Sequence, residues 1–330
     1  MGDIMIKLPL AILKAEKNET SPITRQPEPD LIMESEEQVE AFHKGSTWGG
    51  VMDSIHIFNL CQLSRLVRPG DQVLDLGCGS ADFLLKAAAL YPESHFTGVD
   101  LSSGMLNIAK SRAEKLNIKN VKFVQGDMTE TNSLTLNSFD VVMSTLAVHH
   151  LPTQDLFFKF RANVFSLLKS DGAIMITDFS RVKSQKTIEL LANDMTQRKA
   201  PSILVVDYIS SLKAAFSEAD FQSWIHPKSS HNVELISTQL TNFVSLIRTP
   251  SRISFFKRKS IFNLPLAKVT FASWCDYLSL KLLCSKKFKF DKHASTKLTQ
   301  KESVPQSNSV TQLSNSETTA KVCEKQTDLQ

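Results

Sequence analysis

Residues 73–83 read VLDLGCGSADF, and their types point to a binding chemistry. Val73, Leu74 and Leu76 form a short apolar run, glycines follow at 77 and 79, and a helix-forming stretch starts near Asp82. The pattern reads as strand, tight turn, helix. Glycine lets the backbone turn sharply and leaves room for a ligand where a side chain would stand. A second strand, HFTGVD, ends on Asp100, about 20 residues on, where an acid meets ribose hydroxyls in nucleotide-binding α/β folds. A pyrophosphate turn needs a small neutral residue at the sixth position of G-x-G-x-x-G, but this chain has Asp82 there and Asp75 just ahead of the turn. Two carboxylates repel phosphate and suit a nucleoside cofactor that carries positive charge.

Two more landmarks follow in order: Gly126-Asp127-Met128 after the apolar strand VKFV, and FDVVMSTLAVHHL from Phe139 to Leu151. With these four stretches the chain resembles the class I S-adenosylmethionine-dependent methyltransferases, especially the small-molecule type, over roughly residues 40 to 245. It departs from the common G-x-G-x-G by Ala81 in place of the third glycine, a mild change. The resemblance implies an α/β fold: a Rossmann-like, doubly wound, mostly parallel seven-stranded sheet with an N-terminal helical cap and a C-terminal extension. It also implies S-adenosylmethionine as cofactor. In that reading Asp75 and the Gly77, Cys78, Gly79 backbone hold the methionine part, and Asp100 takes the ribose hydroxyls. Leu101 and Met105 pack near the adenine, Asp127 bonds its amine, and Met128 gives a backbone contact. Ser144, Thr145 and Leu146 line the path by the methyl group.

Methyl transfer is an in-line displacement with a good leaving group, so alignment and water exclusion are the main tasks and a base is optional. The candidate bases are His149 and His150, just past strand four, and Asp178 at the end of strand five; an imidazole near neutral pKa can take a proton as the methyl arrives. Adjacent histidines diverge, so only one is expected to face the pocket. In the family, the segment before the first strand caps the cofactor pocket. Here it contains HKGSTWGG, glycine-punctuated enough for a mobile lid, with His43 and Trp48 as side chains that could face substrate. Methylases of exocyclic base amines carry an Asn/Asp-Pro-Pro-aromatic loop where this chain reads STLA, and the chain has no Pro-Cys dipeptide. Both features disfavour nucleic acid as substrate. The expected acceptor is a small organic molecule, oxygen slightly ahead of nitrogen or carbon. Rival readings are a membrane-associated quinone or lipid methyltransferase, a nucleic-acid methyltransferase, and a non-catalytic S-adenosylmethionine-binding protein.

The elements that must position these residues alternate strand and helix from residue 73 to 179, which specifies a parallel sheet covered on both faces with ligands at the strands' carboxyl ends. VELIST and TNFVSLI are candidates for a closing hairpin. At 330 residues and 42% hydrophobic content the chain can bury a large core. The five cysteines are scattered without C-x-x-C spacing, so neither a disulfide framework nor a metal site is expected. Cys78 reads as a small thiol filling a gap. Residues 1–33 read as a loosely attached arm broken by Pro22, Pro27 and Pro29, and 34–247 as the methyltransferase domain. Residues 248–292 form a basic, aromatic-rich extension with eleven basic residues against two acidic, although the whole chain carries only +4. That segment suits an anionic membrane surface or nucleic acid, or equally a helical hairpin packed on the domain with its lysines in water. Residues 293–330 read as a disordered tail. No run is long and apolar enough to span a membrane and no export signal is visible, so a cytoplasmic protein, peripheral at the membrane through 248–292, is expected.

Overall fold

Strands that are apolar at consecutive positions need cover on both faces, and the core is built accordingly. The computed structural model describes residues 2–29, 44–131, 134–225, 231–238, 243–260 and 269–288. Helix α1 (Gly2–Asn18) and an extended stretch to residue 29 come first, and helix α2 (Asp53–Leu63) precedes strand β1 (Gln72–Leu76). Then α3 (Asp82–Leu90), β2 (His95–Asp100), α4 (Ser103–Lys115), β3 (Val121–Gln125), β4 (Phe139–Thr145), α5 (Gln154–Leu167) and β5 (Leu168–Phe179) follow. Helices α6 (Gln185–Gln197), α7 (Ser202–Ala214) and α8 (Glu218–Gln222) lead to β6 (Glu234–Thr238) and β7 (Val244–Arg248). Helix α9 (Phe271–Leu283) and strand β8 (Cys284–Phe288) complete the described chain.

The sheet runs β3-β2-β1-β4-β5-β7-β6-β8. Strands β3 to β5 in that order are parallel, and the pairs made by β7, β6 and β8 are antiparallel. Seven strands therefore form the expected mostly parallel α/β sheet with its closing hairpin. The eighth strand, absent from the sequence reading, adds to the β6 edge; CSKKF carries none of the apolar alternation that marks a strand. Successive residues go to opposite faces. Val73, Val141 and Met175 join a cluster with α2, α3 and Tyr277, whereas Leu74, Val142 and Ile176 join one with Phe157, Phe160 and Trp224. The break between α7 and α8 has a local cause: Ser217 and Asp220 cap the new helix reciprocally.

Two expected boundaries change. The arm is not loose: Ile23 N donates to Lys183 O (2.9 Å), Gln26 N to Lys213 O (3.0 Å), and the Arg25 guanidinium stacks 4.0 Å over Phe216. The helix ends at Asn18, ahead of Pro22, and the extended chain beyond it finds backbone partners at Lys183, just ahead of α6, and at Lys213 on α7. Nor does the domain stop at Ile247. Arg252 donates to Asp71 (3.1 Å) and Asp140 O (3.0 Å), α9 packs on α2, and Tyr277 Oη meets Cys61 Sγ at 3.4 Å. Several of the basic charges are thus neutralised within the fold. Residues 293–330 lie outside the described residues.

Candidate active site

The glycine turn is held by three constraints. Gly77 sits at φ +77, and a Cβ there would stand 2.6 Å from Ala147 Cβ, so only glycine lets the turn approach the loop after β4. Gly79, at φ +53, has open space within 4 Å. Gly77 N and Cys78 N both donate to Val99 O, at 2.8 and 2.9 Å. Asp100 closes the arrangement: Oδ2 accepts from Gly79 N (2.7 Å) and Oδ1 from Ser102 N (2.9 Å), which leaves each oxygen a further lone pair for a ligand. Ala81 occupies the left-handed region at φ 60, ψ 27.

Beside this turn lies a cavity of about 490 Å³. It is lined by Gly77, Cys78, Gly79 and Asp100, by Leu101, Met105, Asp127 and Met128, and by Thr145, Leu146, His149 and His150. Leu146 is held at φ 53 with its N–H donating to Thr177 O at 2.8 Å, an uncommon backbone for a branched residue and one found at functional sites. Asp127 Oδ1 accepts from Thr129 N (2.7 Å). Burial, with Asp75 and Asp100 nearby, pushes the Cys78 thiol well above its usual range.

Four expected residues do not line the cavity. Asp75 lies beneath the turn, fully buried, with Oδ1 lacking a hydrogen-bond partner among the described residues. Burial, then Asp100, raises its pKa to about 8. Ser144 faces inward and donates to Leu76 O (2.7 Å), tying β4 to β1. Asp178 is shut behind His149, accepting from its backbone N at 3.1 Å and meeting its Nδ1 at 2.6 Å. Trp48 is turned to a buried lysine instead, with Lys86 Nζ 4.4 Å over its ring. His43 lies outside the described residues. Asp82 lines the cavity, but its charge is met by Arg112 and Ser80, and Asp75 holds its proton at neutral pH, so Asp100 is left as the carboxylate that would meet an entering phosphate.

Both histidines, not one, line the cavity. The 3-10 turn Val148–His150 places their rings 4.4 Å apart. Burial alone would lower the His149 pKa, but Asp178 and Glu28 outweigh it and hold it above the ordinary value. Glu28 comes from the arm, with Oε2 2.6 Å from His150 Nδ1 and Oε1 3.9 Å from His149 Nε2. The three donor groups all lie within 4.8 Å of one another, a metal-competent cluster where the sequence led us to expect none. Nothing local in the sequence marks Glu28 or Asp207, which also lines the cavity. Asn59 had a signal, a polar residue inside the apolar run IFNLCQL; it is fully buried, lines the cavity, and has neither amide atom paired among the described residues.

Residues 68–233 match a family described as a methyltransferase domain. A demethylmenaquinone methyltransferase of Listeria welshimeri is 29% identical over 35% of this chain and 48% of its own length. A probable (S)-tetrahydroprotoberberine N-methyltransferase 2 of Papaver bracteatum is 30% identical over 36% of this chain and 32% of its own. The chain spans about half the length, or less, of these curated relatives. In fold, the chain is similar to the plantazolicin methyltransferase BamL, solved in complex with a triazolic desmethylPZN analog and SAH (TM-score 0.50, 14% identity, 76% of this chain and 99% of that one).

Proposed function

The chain belongs to the methyltransferase-domain family, and from that premise we propose that it transfers the methyl group of S-adenosylmethionine to a small organic molecule. The observation that carries this reading is the pairing of an open glycine turn with Asp100 at the mouth of the cavity. Asp100 offers its remaining lone pairs to the ribose hydroxyls, Leu101 and Met105 flank the adenine, and Asp127 and Met128 bound its edge. Asp75 supplies negative charge under the sulfonium and ammonium. Asn59, unpaired and buried, offers its amide to the amino-acid end of the cofactor. Thr145 and Leu146 border the methyl group.

In the reaction the acceptor's lone pair attacks the methyl carbon in line with the carbon–sulfur bond. The new bond forms as that bond breaks, and sulfur leaves as a neutral thioether. An acceptor hydroxyl or amine gives up its proton toward the polar end lined by His149, His150 and Asp207. Asp178 acts through His149 as a positioning residue. Alignment in a site closed to water supplies most of the acceleration.

Calorimetry with S-adenosylmethionine, its demethylated product and NAD tests the cofactor. Binding of NAD and not of S-adenosylmethionine would end this reading. Incubating the protein and methyl-labelled donor with water-soluble and lipid-soluble metabolite fractions tests the acceptor, and absence of labelled product from both leaves a binding protein without turnover. A second reading, a lipid-soluble acceptor met at a membrane, is favoured by Phe255 and Phe256, exposed at 73% and 95% beside Lys257, Arg258 and Lys259.

A further inference from the structure

We propose that Glu28, His149 and His150 bind a divalent first-row transition-metal ion at the acceptor end of the cavity. Two imidazoles and one carboxylate are the donor set of facial-triad and catalytic zinc sites, in which remaining coordination positions stay open to substrate. Ligand atoms around such an ion stand about 3.0–3.4 Å apart, given metal–ligand bonds of about 2.1 Å. Here the Glu28 oxygens lie 2.6 Å from His150 Nδ1 and 3.9 Å from His149 Nε2, so small side-chain rotations bring all three to one centre.

The surroundings are built as a metal ligand needs them. A ligating histidine almost always places its other ring nitrogen on a carboxylate, which fixes its orientation and raises its basicity. His149 does this, with Nδ1 on Asp178 at 2.6 Å and Nε2 turned to Glu28. The carboxylate is supported too: Ser211 Oγ donates to Glu28 Oε1 at 2.9 Å. Arg25 sets the arm by donating to Pro152 O (2.7 Å), His149 O (3.0 Å) and Leu151 O, so the residue three positions on arrives beside the imidazoles. His149, His150 and Ser211 line the cavity, so the ion's open positions face an entering acceptor. An acceptor with adjacent oxygens could bind there, and an ion of this kind lowers the pKa of a coordinated hydroxyl. That role rests on the methyl-transfer reading; metal binding itself does not.

The experiment uses the full chain, stripped with chelator and titrated with Co²⁺ and Zn²⁺ by calorimetry and visible absorption. We expect one equivalent to bind, with d–d bands of nitrogen- and oxygen-ligated cobalt. Glu28→Gln and His150→Gln, each checked for folding by circular dichroism, should weaken binding tenfold or more, and Asp178→Asn by about 10- to 100-fold. Absence of stoichiometric binding overturns the proposal, as does wild-type affinity in both ligand variants. S-adenosylmethionine titrated into the same samples separates the two readings. Donor binding without cobalt binding sinks only the metal site; cobalt binding without donor binding sinks only the methyl-transfer reading.

Discussion

Asp75 gives the sharpest test at the scale of single residues. Buried beneath the glycine turn and raised to about 8, it keeps its proton at neutral pH while the site is free. A cationic ligand above it favours the carboxylate and lowers that pKa, so binding releases the proton wherever the free protein holds it and the complex does not. Affinity for S-adenosylmethionine should therefore rise with pH up to about 8, by at most tenfold per unit, and then level off. The ligand's own amine titrates nearby, so the comparison is with Asp75→Asn, whose profile should be flatter. Identical profiles would remove Asp75 from the site. Of the individual site residues, Gly77, Gly79 and Asp100 were legible because backbone conformation and strand-end position follow from local pattern. Ser144, Trp48 and Asp82 were not, because which way a side chain turns, and whether Arg112 waits for it, is decided by neighbours far along the chain.

Elements show the same division. Strand and helix alternation from residue 72 to 179 is carried by short, near-continuous apolar runs and period-3.6 patterns and could be read directly. Docking of the arm, the eighth strand and the packing of α9 on α2 depend on long-range contacts and leave no such trace. The turn between β1 and α3 carries a strained residue at its third glycine position, Ala81 at φ 60. A left-handed conformation costs an alanine about 1–2 kcal/mol, partly offset by the greater chain entropy of glycine. Ala81→Gly should stabilise the protein by about 0.5–1 kcal/mol in urea unfolding; a loss of stability would show that the alanine methyl matters more for packing than its strain. Truncation after Ile247 removes Arg252, α9 and β8 together, and with them the cover of Cys61 and the ion-pair partner of Asp71. The shortened chain should lack a cooperative thermal transition. A cooperative transition with donor affinity intact would restore the boundary that the sequence suggested.

Over the whole molecule the charge is modest, +4, and in the basic segment Arg248 and Arg252 are turned inward to Glu234 and Asp71, while Lys259 meets Glu93 at the surface. Membrane attachment would therefore rest on the tip at Phe255 and Phe256 with Lys257 and Arg258 after it, each basic residue contributing about 1 kcal/mol near an anionic surface. The full chain should sediment with anionic vesicles and be released by salt, and a Phe255→Ser, Phe256→Ser double variant should remain in solution with its thermal midpoint unchanged. Failure of the wild-type chain to sediment would leave the water-soluble acceptor as the standing reading. Among the described residues no helix is long and apolar enough to cross a membrane.

Glu28 reaches the histidines from a stretch of chain that Arg25 fastens to residues as far as 189 positions later. Contacts of that span close late, because a long loop must lose its freedom before the contact returns anything. The glycine turn and Asp100 involve near neighbours in sequence and can assemble first. A chain emerging from synthesis, or refolding from denaturant, should pass through a stage at which the donor is gripped while the acceptor end is still open. Recovery of activity should then lag behind recovery of cofactor binding.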